Sequence, residues 1–138
     1  IFQVKSKEDA SLFASTASEA FKYRVDADII HTISMNAPDI KMYIYLKNKV
    51  CLACGFVYFD ADNNAGLHMI GTDPTARNLG IGKSMTEKLI TEALINNKEY
   101  CVLQASIMGE PIYKKLGFIP YGNLKTYKIV KKSKQKHQ

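Results

Sequence analysis

Long hydrophobic runs are absent from this chain. None approaches the roughly 20 apolar residues that a helix needs to cross a bilayer, so no membrane span is expected. Cysteine is scarce, with Cys51, Cys54 and Cys101 the only three in 138 residues. So low and odd a count makes no disulfide scaffold and points to a reducing, cytoplasmic setting. A secretory leader pattern and an initiator methionine are also missing. The chain opens Ile1-Phe2-Gln3-Val4 and passes directly into a charged helix pattern, so we expect a trimmed piece of a longer protein, with a preceding domain left open. Strong charge on the body is lacking too. The formal net charge is +6, but four lysines lie in residues 131–138, which leaves +2 on residues 1–130. A body so near neutrality does not announce a nucleic-acid surface, and the basic tail reads as a solvated end.

What remains is ordinary for a globular domain: 46% hydrophobic and 23% charged residues. The length suits one domain over residues 1–130. Two metal-like patterns fail on inspection. Cys51 and Cys54 form C-x-x-C, but Val50 to Phe59 reads as a strand, where positions three apart face opposite sides. Further zinc ligands at suitable spacing are lacking, so buried thiols are expected and no metal. Asp60-Ala61-Asp62-Asn63-Asn64 invites a calcium reading, but the sixth position is Ala65 rather than Gly and the twelfth is Gly71 rather than Glu. A polar hairpin turn accounts for it.

Periodicity supplies the elements. Ile1 to Val4 predicts a short strand. Ser6-Lys7-Glu8-Asp9 resembles a capping box, and Ala10, Phe13, Ala17, Ala20 and Phe21 carry a helix to about Tyr23. A second helix fits Asp26 to Met35, with Ile29, Ile30 and Ile33 inward. Strands are expected at Lys41–Lys47, Val50–Phe59 and Leu67–Thr72. Ile81, Met85, Leu89 and Ala93 mark a further helix. Cys101 to Ala105 reads as a buried strand, and Glu110-Pro111 opens a short helix that Gly117 caps. Two strands complete the chain within Phe118 to Val130. Strands without intervening helices pair antiparallel, whereas the helical crossover between the fourth and fifth implies a parallel pair. The expected fold is α/β (α+β): a mixed, mainly antiparallel seven-stranded sheet with helices on both faces.

The informative stretch is Arg77-Asn78-Leu79-Gly80-Ile81-Gly82, between a strand and a helix. A helix start offers unpaired N–H groups and the positive end of a dipole. Glycines let a phosphate approach the backbone, and Arg77 and Lys83 add charge. Two glycines in a turn also suit a plain tight connection. Gly82-Lys83-Ser84 matches the end of a nucleotide-binding P-loop, but that motif needs glycine where this chain has Arg77.

The stretch from Gly71 through Asp73-Pro74 to Gly82 resembles the acetyl-CoA signature of the GNAT N-acetyltransferases, [RQ]-x-x-G-x-[GA]. Ile112-Tyr113-Lys114-Lys115-Leu116-Gly117-Phe118 resembles that family's second signature, Y-x-x-L-G-F, and the order of elements matches along essentially the whole chain. The resemblance implies acetyl transfer from acetyl-CoA to an amine. It implies a splayed fourth and fifth strand, with the cofactor's pantetheine arm bonded to the backbone of Ile70, Gly71 and Thr72. The pyrophosphate would lie on Arg77, Asn78, Leu79, Gly80, Ile81, Gly82, Lys83 and Ser84. Tyr113 matches the general acid, and His68 stands nine residues before Arg77, where members often place their base. Ser106 replaces an asparagine that bonds the pantetheine in many members.

The acceptor stays open among a small amine, an amino acid, an antibiotic, a peptide N-terminus and lysine. A non-catalytic acyl-CoA-binding module and a regulatory domain of a longer chain are the other classes compatible with these residues. No nucleic-acid or membrane partner is expected, and an exposed edge strand near the C-terminus could pair two copies.

Overall fold

The computed structural model describes residues 1–104, 109–120 and 126–130. Its strands are β1 (Phe2–Gln3), β2 (Ile40–Lys47), β3 (Val50–Phe59), β4 (Asn64–Thr72), β5 (Tyr100–Gln104), β6 (Ile119–Pro120) and β7 (Thr126–Val130). The helices are α1 (Lys7–Phe21), α2 (Ala27–Asn36), α3 (Ile81–Ile95) and α4 (Glu110–Lys115). The strand order is β1-β2-β3-β4-β5-β7-β6. A seven-stranded sheet, with a short first strand, was expected from the sequence. Among the described residues, five strands of five or more residues form the body of the sheet, and the two-residue pairings of β1 and β6 flank it. β4 and β5 pair in parallel, and the other neighbours are antiparallel. The described edge strand near the C-terminus is two residues long and carries Pro120, so it offers little ladder to a second copy. The tail 131–138 lies outside the described residues.

Both faces of the sheet are covered. One cluster gathers α1 and α2 with Met42, Ile44, Cys51 and Cys54; the other gathers α3 with Tyr43, Ala53, Val57, Leu67 and Tyr113. The expected stripe of α3 packs inward, with Ile81, Met85, Leu89 and Ala93 all buried. Gly55 lets α3 come close: a Cβ there would lie 3.1 Å from Met85 Cγ. Ser6 caps α1 by accepting from the Asp9 N–H at 3.0 Å, while the Asp9 carboxylate reaches back to the Lys5 N–H. α1 stops at Phe21, two residues before the expected end, because Lys22 turns left-handed at φ 61°. In α2, Ile30 is buried and Ile33 packs on the core, but Ile29 is 59% exposed. α1 and β2 pack on the side of α2 that carries Ile30 and Ile33, and Ile29 falls outside it.

Two bulges reset the alternation of side chains. In β3 the register shifts between Tyr45/Ala53 and Leu46/Cys51, so Leu52 is an extra residue. Cys51 and Cys54 therefore share one cluster rather than facing opposite sides, which corrects the strand reading of this pair. Both are free, buried thiols, and burial pushes Cys54 up to about 12. At the β3–β4 hairpin, Asp60 accepts from the N–H groups of Asp62 and Asn64, an ordinary Asx turn.

Candidate active site

The second bulge lies where the site begins. Between the pairs Phe56/His68 and Cys54/Gly71, β4 has one residue more than β3. Met69 absorbs it with φ +51°, a conformation that costs energy in a residue with a Cβ. The Cys54 thiol donates to the Met69 carbonyl at 3.4 Å. After the bulge Ile70 packs on the α3 side and Gly71 meets α1. The parallel ladder to β5 covers Asn64–Leu67 against Tyr100–Leu103, while β4 runs on to Thr72. Beyond Leu67 the backbone of β4 is thus available on that side among the described residues.

A cavity of about 480 Å³ opens at this end of the sheet, a size typical of small-molecule sites. β4 contributes Ile70, Gly71 and Thr72. The turn and the start of α3 contribute Arg77, Asn78, Gly80, Ile81, Gly82 and Lys83. α4 contributes Tyr113. Ten of the residues proposed from the sequence thus converge on one cavity. Leu79 and Ser84 do not line it: Leu79 is 69% exposed, and the Ser84 N–H is bonded to the Gly80 carbonyl. Ser106 lies outside the described residues. His68 is also absent from the lining. Its ring leans on Phe56 with centroids 5.1 Å apart and folds back over Gly66, where a Cβ would meet Nε2 at 2.7 Å. The residue is solvent-exposed overall, but its desolvated flank lowers the imidazole pKa from 6.5.

The α3 start has the features of an anion-binding helix terminus. Gly80 sits at φ +78° with nothing within 4 Å of a would-be Cβ, and no side chain caps the helix. The first N–H groups of α3 have no partner one turn back, so they and the dipole point outward. Gly82 also presents no side chain to the cavity. Its Cβ would lie 3.4 Å from Thr72 Oγ1, ordinary packing, so the glycine serves access rather than fit. At the other end Gly109 lets the Tyr113 ring lie against the backbone, where a Cβ would sit 2.8 Å from the ring. The ring meets Phe118 edge-on with centroids 6.0 Å apart. Burial raises the phenol pKa above 10, so the hydroxyl keeps its proton at neutral pH.

Sequence reasoning missed six lining residues: Ala20 and Phe21 at the end of α1, Ala76 just before Arg77, and Gly109, Ile112 and Lys115 around α4. Ile112 and Lys115 flank Tyr113 in the second signature, which is the signal that could have found them. Ala20 and Phe21 read as core positions of α1, and nothing local shows that they reach the cavity.

The sequence matches the acetyltransferase (GNAT) domain over residues 3–130. This chain belongs to the GNAT family. Its fold is also that of solved relatives at low identity. A GNAT-family acetyltransferase from Staphylococcus aureus Mu50 superimposes with a TM-score of 0.71 at 19% identity, covering 94% of this chain and 96% of that one. A GNAT-family acetyltransferase from Brucella melitensis, solved in complex with acetyl-CoA, gives 0.72 at 14% identity over 91% and 84%. A chain from Pyrococcus horikoshii gives 0.69 at 16% identity; 85% of this chain is covered but only 42% of that longer one. No curated protein matches the sequence significantly. GNAT domains use acetyl-CoA, and the residues here fit it: free amides for a diphosphate, exposed backbone for an amide-bearing arm, and an apolar floor of Ile70, Ile81 and Ile112. No helix among the described residues is long and apolar enough to cross a membrane.

Proposed function

We propose that this chain transfers an acetyl group from acetyl-CoA to a primary amine. The observation that carries the proposal is a single cavity with an uncapped helix start at one end and a buried, protonated phenol at the other. Bound acetyl-CoA would supply the activated thioester. The amides at Gly80–Lys83 would hold its diphosphate, and Arg77 and Lys83 would make the local potential positive. The backbone of Ile70, Gly71 and Thr72 would pair with the pantetheine arm, with an N–H near Ile70 polarising the reacting carbonyl.

Tyr113 would hold its proton toward the departing sulfur. A phenol raised above 10 is a weaker acid than a free one, so its contribution is a hydrogen bond that strengthens as charge builds on sulfur. His68 would take the amine's proton through water, since it does not line the cavity itself. Its lowered pKa keeps it neutral at pH 7, the form a base requires. The free thiols agree with work in a reducing compartment such as the cytoplasm.

The test is calorimetry with coenzyme A, followed by release of free coenzyme A from acetyl-CoA against a panel of amines. Heat of binding with amine-dependent release is expected. Binding without turnover on any amine would leave a sensing module, and no heat at all would defeat the site assignment.

A further inference from the structure

We propose that Arg77 is a positioning residue, whose guanidinium ties the last turn of α1 to the phosphate turn and so fixes the Ala20–Phe21 wall of the cavity. Its Nη2 donates to the Ala20 carbonyl at 3.3 Å, across 57 positions of sequence. The last four carbonyls of a helix have no partner within it, and a cation there is favoured by the dipole. α1 provides no basic residue in its own last turn. The Lys22 N–H is spent on the Ser18 carbonyl at 2.9 Å, so it does not serve Ala20. Arg77, arriving from the far side of β4, supplies what α1 lacks.

Two neighbouring features close the same junction. Gly71 lets α1 sit directly on β4, because a Cβ there would lie 2.8 Å from Ala20 Cβ and 3.0 Å from the Phe21 ring. Asp73 is held ionised chiefly by the hydroxyl and N–H of Thr75, and Lys22 and Arg77 add their positive charge to its surroundings. Ala20, Phe21 and Arg77 all line the cavity. One donor of the guanidinium is therefore committed to a protein carbonyl, and what it holds is a wall rather than a phosphate. α1 leads into α2 through residues 22–26, so the brace also links the phosphate turn to that helical pair.

Hydrogen exchange on the free protein tests this without any ligand. Arg77→Ala should speed exchange of the amides in residues 20–25 about five- to tenfold, the loss of roughly one hydrogen bond's protection. Amides in the middle of α3 should not change. Arg77→Lys, which keeps a donor, should restore most of the protection. Unchanged exchange at 20–25 in Arg77→Ala overturns the proposal. Its consequence for binding rests on the acetyl-CoA reading and is measured separately. Arg77→Ala should weaken coenzyme A binding, and Gly71→Ala, which keeps the guanidinium but displaces Ala20 and Phe21, should weaken it similarly. Weakened binding in Arg77→Ala beside wild-type binding in Gly71→Ala would mark Arg77 as a direct phosphate ligand and refute the positioning role. If wild type binds no coenzyme A, the proposed function fails while the exchange result still decides the brace.

Discussion

Gly71→Ala is the sharpest probe of how this site is built. The added Cβ would stand 2.8 Å from Ala20 Cβ and 3.0 and 3.1 Å from the Phe21 ring. Carbon atoms at rest keep about 3.5–4.0 Å, so the end of α1 must retreat by about 1 Å. The Arg77–Ala20 bond is already 3.3 Å long, and that retreat carries it out of range. Overpacking costs about 1–3 kcal/mol and the lost bond about 1 kcal/mol. The expected loss is thus about 2–4 kcal/mol, which lowers Tm by about 5–15 °C in a domain of this size. Urea denaturation should show a lower midpoint at unchanged slope, and calorimetry should show weakened coenzyme A binding. Gly80→Ala provides the contrast. It meets nothing within 4 Å and pays only for its φ of +78°, roughly 1 kcal/mol. If Gly71→Ala melts within about 2 °C of wild type and binds coenzyme A normally, the close junction of α1 and β4 does not shape the cavity.

Three further outcomes follow from the same geometry. Tyr113→Phe keeps the buried ring and its contact with Phe118, so stability should move by less than about 1 kcal/mol. Steady-state kinetics should show kcat falling about 10- to 100-fold with KM for acetyl-CoA unchanged; unchanged kcat removes the hydroxyl from the reaction. In the wild-type pH–rate profile the acidic limb should fall below pH 6.5, because His68 is lowered from that value. His68→Ala should lose that limb, and its retention rules out the base. Glu92 gives a pH dependence of stability. Burial pushes its carboxyl up, but Lys88 at 3.1 Å and Lys41 at 3.4 Å outweigh that and lower the pKa below 4.5. Its stabilisation is then complete above pH 4.5 and is lost as the pH falls through the lower folded-state value. Glu92→Gln should cost about 1–3 kcal/mol at pH 7, since both lysines are about one-third exposed, and should flatten the acid limb of a Tm–pH curve.

Much of the site was legible because its chemistry is local. An uncapped helix start needs only a turn, two glycines and the apolar stripe that follows, and all of these are contiguous between Arg77 and Ala93. Tyr113 came from the resemblance of Ile112–Phe118 to the family's second signature; only its short helix was legible locally, since a proline opens it and Gly117 closes it at φ +100°. Less visible was anything set by two segments at once. The orientation of Cys51 and Cys54 depended on an extra residue at Leu52, which only pairing with β2 reveals. Ile29 reads as an inward residue by spacing and faces solvent because α1 and β2 meet a different side of α2.

The sequence by itself determined which elements form, their order, and the uncapped glycine-bearing turn before α3, because period, capping and glycine placement act over a few residues. Tertiary structure alone decided that Met69 would bulge, that Ala20 and Phe21 would wall the cavity, and that the Arg77 guanidinium would reach the end of α1. Each of those depends on the distance between backbones remote in the chain. Such distances follow from how two covered sheet faces pack, which no local pattern encodes.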